Sequence, residues 1–315
     1  LILIAGPPLL LAAAYFATIR EDQWGVAAAA TIEPARAPSV ADGNPAAALE
    51  AACAETARQL GPRLSSRCQF LIRPPFVMAG DLPPERLEAY YKQIVAPVVR
   101  ALEFSYFARR PDQPISIVLL ADEESYHAHA EKLDGHAAHG YYGYYQRPER
   151  RIVANAGTGD GTVAHELTHA LSQFDFPQMP EWFDEGLACL HEQSEFSADD
   201  RQLMGLDNWR FELLKAALRL DRLPPLEALI SDRSLRGERE GLNYAIVRYF
   251  CLFLQERELL RPFYRTFRES QAQDPAGVRA LCDLFGKNSV AEVDAEFRDW
   301  LRARSPATPE AAAVP

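Results

Sequence analysis

An α+β fold is predicted by the way this 315-residue chain divides its hydrophobic patterns. Short aliphatic and β-branched runs, bounded by turn residues, lie before Gly161. From Gly161 onward, apolar residues recur at helical spacing almost to the end. No internal repeat is visible. Strands first and helices after argue for a small mixed sheet followed by a mostly helical lobe.

The elements read as follows. Residues 1–20 (LILIAGPPLLLAAAYFATIR) are apolar with no charge before Arg20. That length suits a signal peptide core or an uncleaved membrane anchor, although Pro7 and Pro8 interrupt a regular helix. Residues 21–48 are rich in Ala and Pro and read as a flexible spacer. A short helix follows (LEAACAETARQL), and CQFLIRPPFVMAG reads as strand broken by Pro-Pro. The segment DLPPERLEAYYKQIVAPVVRALEFSYF is expected to be an amphipathic helix with an Asp cap and a kink at Pro97. ISIVLLAD is a buried strand, ESYHAHAEKLDG a helix or turn, and HGYYGYYQRPERRIVAN two strands around a polar turn. After that the reading is helix throughout, including ADDRQLMGLDNWRFELLKAALRL as one segment. Residues 303–315 form a loose tail, which leaves 49–302 as one folded domain.

Composition narrows the choices. Hydrophobic residues make up 48% and charged residues 24%, a globular balance. The net charge of −11, without a Lys/Arg run, argues against a nucleic-acid partner. The apolar start implies contact with a membrane and a domain outside the cytoplasm, in the periplasm or cell envelope. The five cysteines form no CxxC pair, so a cysteine zinc site is not expected. In an oxidising compartment Cys53 and Cys68 could close a short loop. Cys189, Cys251 and Cys282 read as small buried residues.

The chemistry concentrates in HELTH, residues 165–169. Val163, Leu167, Ala170, Leu171 and Phe174 make the buried stripe of a helix. His165 and His169 are one turn apart on one face, so both imidazoles can reach one Zn²⁺. Glu166 is rotated by one residue, suited to take a proton from a zinc-bound water and pass it to the leaving amine. Such a match also occurs by chance on a solvated helix, so a third ligand must decide. Downstream lies QMPEWFDEGLACLHE, a second helix starting near Pro180. Glu185 lies inside it and is the leading third ligand. Glu181 and Asp184 compete: Glu181 suits the helix dipole, and Asp184 suits a partner that orients a ligand histidine. Gly186 would let another helix approach closely.

HELTHAL followed by MPEWFDEGLA resembles the gluzincin metallopeptidases, in particular the bacterial peptidase MA-like family. The resemblance covers about residues 68–302 and is strongest over 165–190. It implies a zincin-like catalytic lobe, Glu185 as third zinc ligand, and a peptide or protein substrate. It also implies that Tyr244, in GLNYAIVRYFCLFLQE, donates to the oxyanion, with Tyr249 as the fallback. GYYGYYQRPERRIVAN resembles the family's edge strand beside the zinc, which would hold an extended substrate. Tyr141, Tyr142, Tyr144 and Tyr145 would then line the cleft. The segment that holds a free amine in aminopeptidase relatives has no counterpart here, which favours an endopeptidase.

His127, His129, His136 and His139 form a second cluster. Their irregular spacing reads as a solvated helix end and loop, and His191 reads as a surface residue. The sequence thus leads to an envelope zinc metallopeptidase. The alternatives are a membrane-tethered zinc-binding scaffold of the same fold without turnover, and a zinc hydrolase acting on a non-peptide bond.

Overall fold

The computed structural model describes residues 44–135, 141–231 and 234–304. The predicted leader, most of the spacer, His136, His139 and the tail from 305 lie outside the described residues.

The fold is mixed α+β. Its main sheet has the order β1-β2-β3-β5-β4, from Gln69–Arg73, Phe76–Gly80, Ile115–Leu120, Arg151–Asn155 and Gly143–Gln146 respectively. β2, β3 and β5 are parallel, and the two edge strands β1 and β4 are antiparallel to their neighbours. The three central strands are buried along their whole length because both faces are covered. Ile115, Ile117 and Leu119 face the large helical core. Val118 and Leu120 alternate to the other face, where α1 (Pro45–Leu60) and α4 (Glu123–Asp134) pack.

α1 begins at Pro45, a few residues before the expected 49, with Asn44 capping Ala46 N at 3.1 Å. The Pro-Pro interruption is the turn of the β1–β2 hairpin, with a cis Pro74–Pro75 bond. The long helix after β2 runs as α2 (Pro84–Tyr90), a π-turn (Tyr91–Val95) and α3 (Ala96–Ser105). The kink expected at Pro97 takes this form. Pro97 has no N–H for Gln93, and the register widens so that Ala96 N bonds Tyr91 O. The expected Asp cap is not made: Pro83 occupies the N-cap. Asp81 instead accepts from Ala121 N at 2.8 Å and from Ser125 Oγ at 2.5 Å, tying β2 to the start of α4.

The helical lobe contains α5 (Gly161–Asp175), α6 (Glu181–Glu192), α7 (Phe211–Arg219), α8 (Leu226–Ser231), α9 (Glu240–Glu256), α10 (Leu260–Ser270), α11 (Val278–Phe285) and α12 (Val290–Arg304). The reading of one helix over 198–220 is wrong in its first half. A two-stranded ribbon, β6 (Ser194–Phe196) with β7 (Leu203–Gly205), lies between α6 and α7. Its turn is built by short side chains: Ser197 Oγ donates to Asp199 at 2.7 Å, and Asp200 takes φ 56°. Gln255 of α9 seals the ribbon, accepting from Gly205 N at 2.8 Å and donating to Gly205 O at 3.0 Å.

Candidate metal centre

Two helices and one edge strand build the site. α5 lies against the sheet beside β4, and Gly143 permits this approach. A Cβ there would meet Thr162 Cγ2 at 2.5 Å. α6 returns antiparallel to α5. Near one end, Asp184 of α6 meets His169 and Ser172 of α5. At the other, Gly161 abuts the backbone of Glu192, where a Cβ would lie 2.1 Å from the carbonyl oxygen. α9 crosses α6 at Gly186, as the glycine suggested. A side chain there would meet Val247 O and Cys251 Sγ, each at 2.9 Å. The fully buried Arg248 of α9 holds the C-terminal end of α6 by donating to Cys189 O at 2.9 Å.

This packing brings three predicted ligands together. His165 Nε2 and His169 Nε2 are 3.1 Å apart, and each is 3.6 Å from Glu185 Oε2. Donors about 2.0–2.1 Å from a tetrahedral zinc are separated by about 3.3 Å, so the triangle has the size that zinc requires. Among the described residues, two groups of His, Cys, Asp or Glu converge within 4.8 Å. One is this triangle, and the other is His165, Cys189 and Glu192. Glu181 is outside both groups, as its place at the helix start suggested.

Asp184 pairs with His169, one of the two candidate ligand histidines. His169 Nδ1 lies 3.0 Å from Asp184 Oδ2, which aims Nε2 into the triangle. Ser172 Oγ donates to Asp184 at 3.0 Å, and Arg147, from the β4–β5 turn, also donates to it. Burial works against the Asp184 charge, but His169, Arg147 and Ser172 prevail and hold its carboxyl down at about 2. Burial opposes a proton on His169 as well, yet Asp184 and Glu185 raise its imidazole above the ordinary value. His165 has less anionic support, and burial lowers it to about 4. Burial also pushes the Glu166 carboxyl up to about 8, close to neutrality.

Tyr244 of α9 is half-buried and within electrostatic reach of Glu185 and Arg236. Burial, then Glu185, push its phenol far up, so it stays a donor. The fallback, Tyr249, is fully buried and structural: its hydroxyl donates to Asn208 O at 3.1 Å, and its ring stacks on Phe211.

The four tyrosines before Gln146 do not act as a set. Tyr141 and Tyr142 are exposed. Tyr145 faces α5 and donates to Gln173 at 2.5 Å. Tyr144 alternates to the far face of the strand and donates to Asp134 of α4 at 2.6 Å, so it does not line the cleft.

Two readings of histidines are corrected. His129 is buried, not solvated, with Nδ1 at 2.8 Å from Ser125 O and Nε2 accepting from Ser65 N at 3.3 Å. His191 is 1% exposed, not a surface residue, and lies against the Tyr106 ring. Its side of α6 turns into the core against Tyr106, just past the end of α3. His127 is half-buried beside Glu123. All five cysteines are free thiols, with Cys53 buried in α1 and Cys68 3.7 Å from His129 Nε2. The loop suggested for Cys53 and Cys68 is therefore not closed.

Sequence reasoning missed Arg147, Cys189 and Glu192. Glu185, Cys189 and Glu192 are spaced by four and three residues, one face of a helix, and that signal was available. Arg147 came from a turn far away in sequence and had no such signal. No family model matches the chain, and no curated protein matches it.

Proposed function

We propose that this chain is a zinc-dependent hydrolase of peptide bonds, an endopeptidase of gluzincin type acting outside the cytoplasm. The observation that carries the reading is the donor triangle of His165, His169 and Glu185, with Asp184 behind His169.

These three residues would hold the metal. When bound, zinc lowers the pKa of a water to about 7 and polarises the scissile carbonyl. Asp184 fixes the tautomer of His169 by accepting its Nδ1–H, so Nε2 keeps its lone pair for the metal. Glu166 is one residue round the helix, buried, and near neutrality in its proton affinity. It takes a proton from the attacking water and delivers it to the leaving amine, and both transfers favour a carboxyl tuned to working pH. Tyr244 keeps its proton and donates to the developing oxyanion. Among the described residues β4 is an edge strand of the sheet, so an extended peptide can add there as a further strand. The uncharged, largely apolar run at residues 1–19 supports an extracytoplasmic site of action.

The test is a peptide-library digest by zinc-loaded protein, with Glu166→Gln as control. Internal cleavage by the wild type, reduced at least about a hundredfold in Glu166→Gln, is the expected result. Equal activity in both would overturn the role of Glu166. Zinc bound without any cleavage would leave a zinc-binding scaffold as the better reading.

A further inference from the structure

We propose that His165, Cys189 and Glu192 form a second seat for a thiophilic divalent cation, beside the first seat and in competition with it. This rests on the reading of His165, His169 and Glu185 as a metal site.

The antiparallel register of α5 and α6 creates the overlap. Moving from His169 to His165 along α5 corresponds to moving from Glu185 through Cys189 to Glu192 along α6. His165 therefore stands between two sets of donors. Cys189 and Glu192 each offer one ligand atom, and with His165 the three lie within 4.8 Å of one another. The donors are graded by depth. Cys189 is 0% exposed, whereas the side chains of His165 and Glu192 are 17% and 29% exposed. An ion approaching from the Glu192 side meets a carboxylate, then an imidazole, then sulfur.

The chemistry of this set differs from the first. Thiolate selects soft and borderline ions such as Cd²⁺ over Mg²⁺ and Ca²⁺. Binding involves no redox change: the Cys189 S–H gives its proton to solvent, and the sulfur lone pair forms the bond to the metal. Arg210 Nη2 lies 3.3 Å from Glu192 Oε2, so a cation must displace this ion pair to enter. The seat therefore fills when thiophilic metal is in excess. Once filled, it draws the His165 imidazole from the first seat, which is left with His169 and Glu185. The result is inhibition by thiophilic metals through loss of a ligand.

The experiment is a titration of the zinc-loaded full chain with Cd²⁺ alone. It reads the ultraviolet thiolate-to-cadmium charge-transfer band and, with a chromogenic chelator, released zinc. The wild type is expected to develop the band with release of zinc. Glu185→Gln should develop the band from the metal-free state. Cys189→Ser should lack it, and Glu192→Gln should need more than about tenfold more Cd²⁺. Cys189→Ala, checked by circular dichroism, guards against a folding defect in the serine variant. Absence of the band in wild type, or its persistence in both Cys189 variants, overturns the second seat. A band without zinc release overturns the competition. Failure of wild type to bind zinc, with the band still formed, would instead overturn the first seat.

Discussion

Asp184 shows how one buried carboxylate sets the state of its neighbours. It accepts from His169, Ser172 and Arg147, and its charge helps to raise His169. In the proposed site zinc must displace a proton from His169, so zinc affinity is expected to fall as pH falls through the raised value. Asp184→Asn is expected to weaken zinc binding about 10–100-fold at neutral pH. It should also flatten the dependence on pH, because the His169 proton is no longer held as firmly. Zinc titrations at several pH values check both. An unchanged affinity and slope would remove Asp184 from the account.

At the scale of elements, the site depends on how α5 is anchored and how closely α9 approaches α6. Asp175 ends α5 and accepts from Ala108 N and Arg109 N, at 2.9 and 2.8 Å, and from Tyr264 and Arg268 of α10. Asp175→Ala leaves the neutral donors unpaired and Arg268 with only the exposed Glu269, at 3.8 Å. It is expected to cost about 3–5 kcal/mol in denaturant unfolding. Arg268→Ala alone should cost less, since Asp175 keeps its three neutral donors. Gly186→Val is expected to cost about 1–3 kcal/mol, because its side chain must push α9 from Val247 O and Cys251 Sγ. It should also lower peptide cleavage while zinc still binds, because Tyr244 moves with α9. Full activity in that variant would argue against Tyr244 as the oxyanion donor.

For the whole molecule, filling the proposed zinc site would link metal binding to folding. Zinc at about 1,000 times its Kd should stabilise the folded wild type by about 4 kcal/mol. Glu185→Ala should show little of this gain. Thermal or denaturant unfolding with and without zinc measures it. The parts legible in the sequence were those that local pattern controls. HELTH, the Gly186 crossing and the buried core strands each follow from spacing or composition within a few residues. Hidden parts depended on partners distant in sequence. β7 looked helical because the turn residues before it, Asp199 and Asp200, are also tolerated on helix surfaces. Asp81 looked like a helix cap because its link to Ala121 and Ser125 is made across the sheet. His191 looked exposed because no local signal shows that Tyr106 covers that side of α6.

The most direct measurement is the zinc content of the purified protein by elemental analysis, for wild type, Glu166→Gln and Glu185→Ala. The account predicts one zinc per chain in wild type and in Glu166→Gln, and loss of zinc in Glu185→Ala. A wild type that takes up no zinc when zinc is supplied would contradict it, and HELTH would then be an ordinary helix with two histidines on one face.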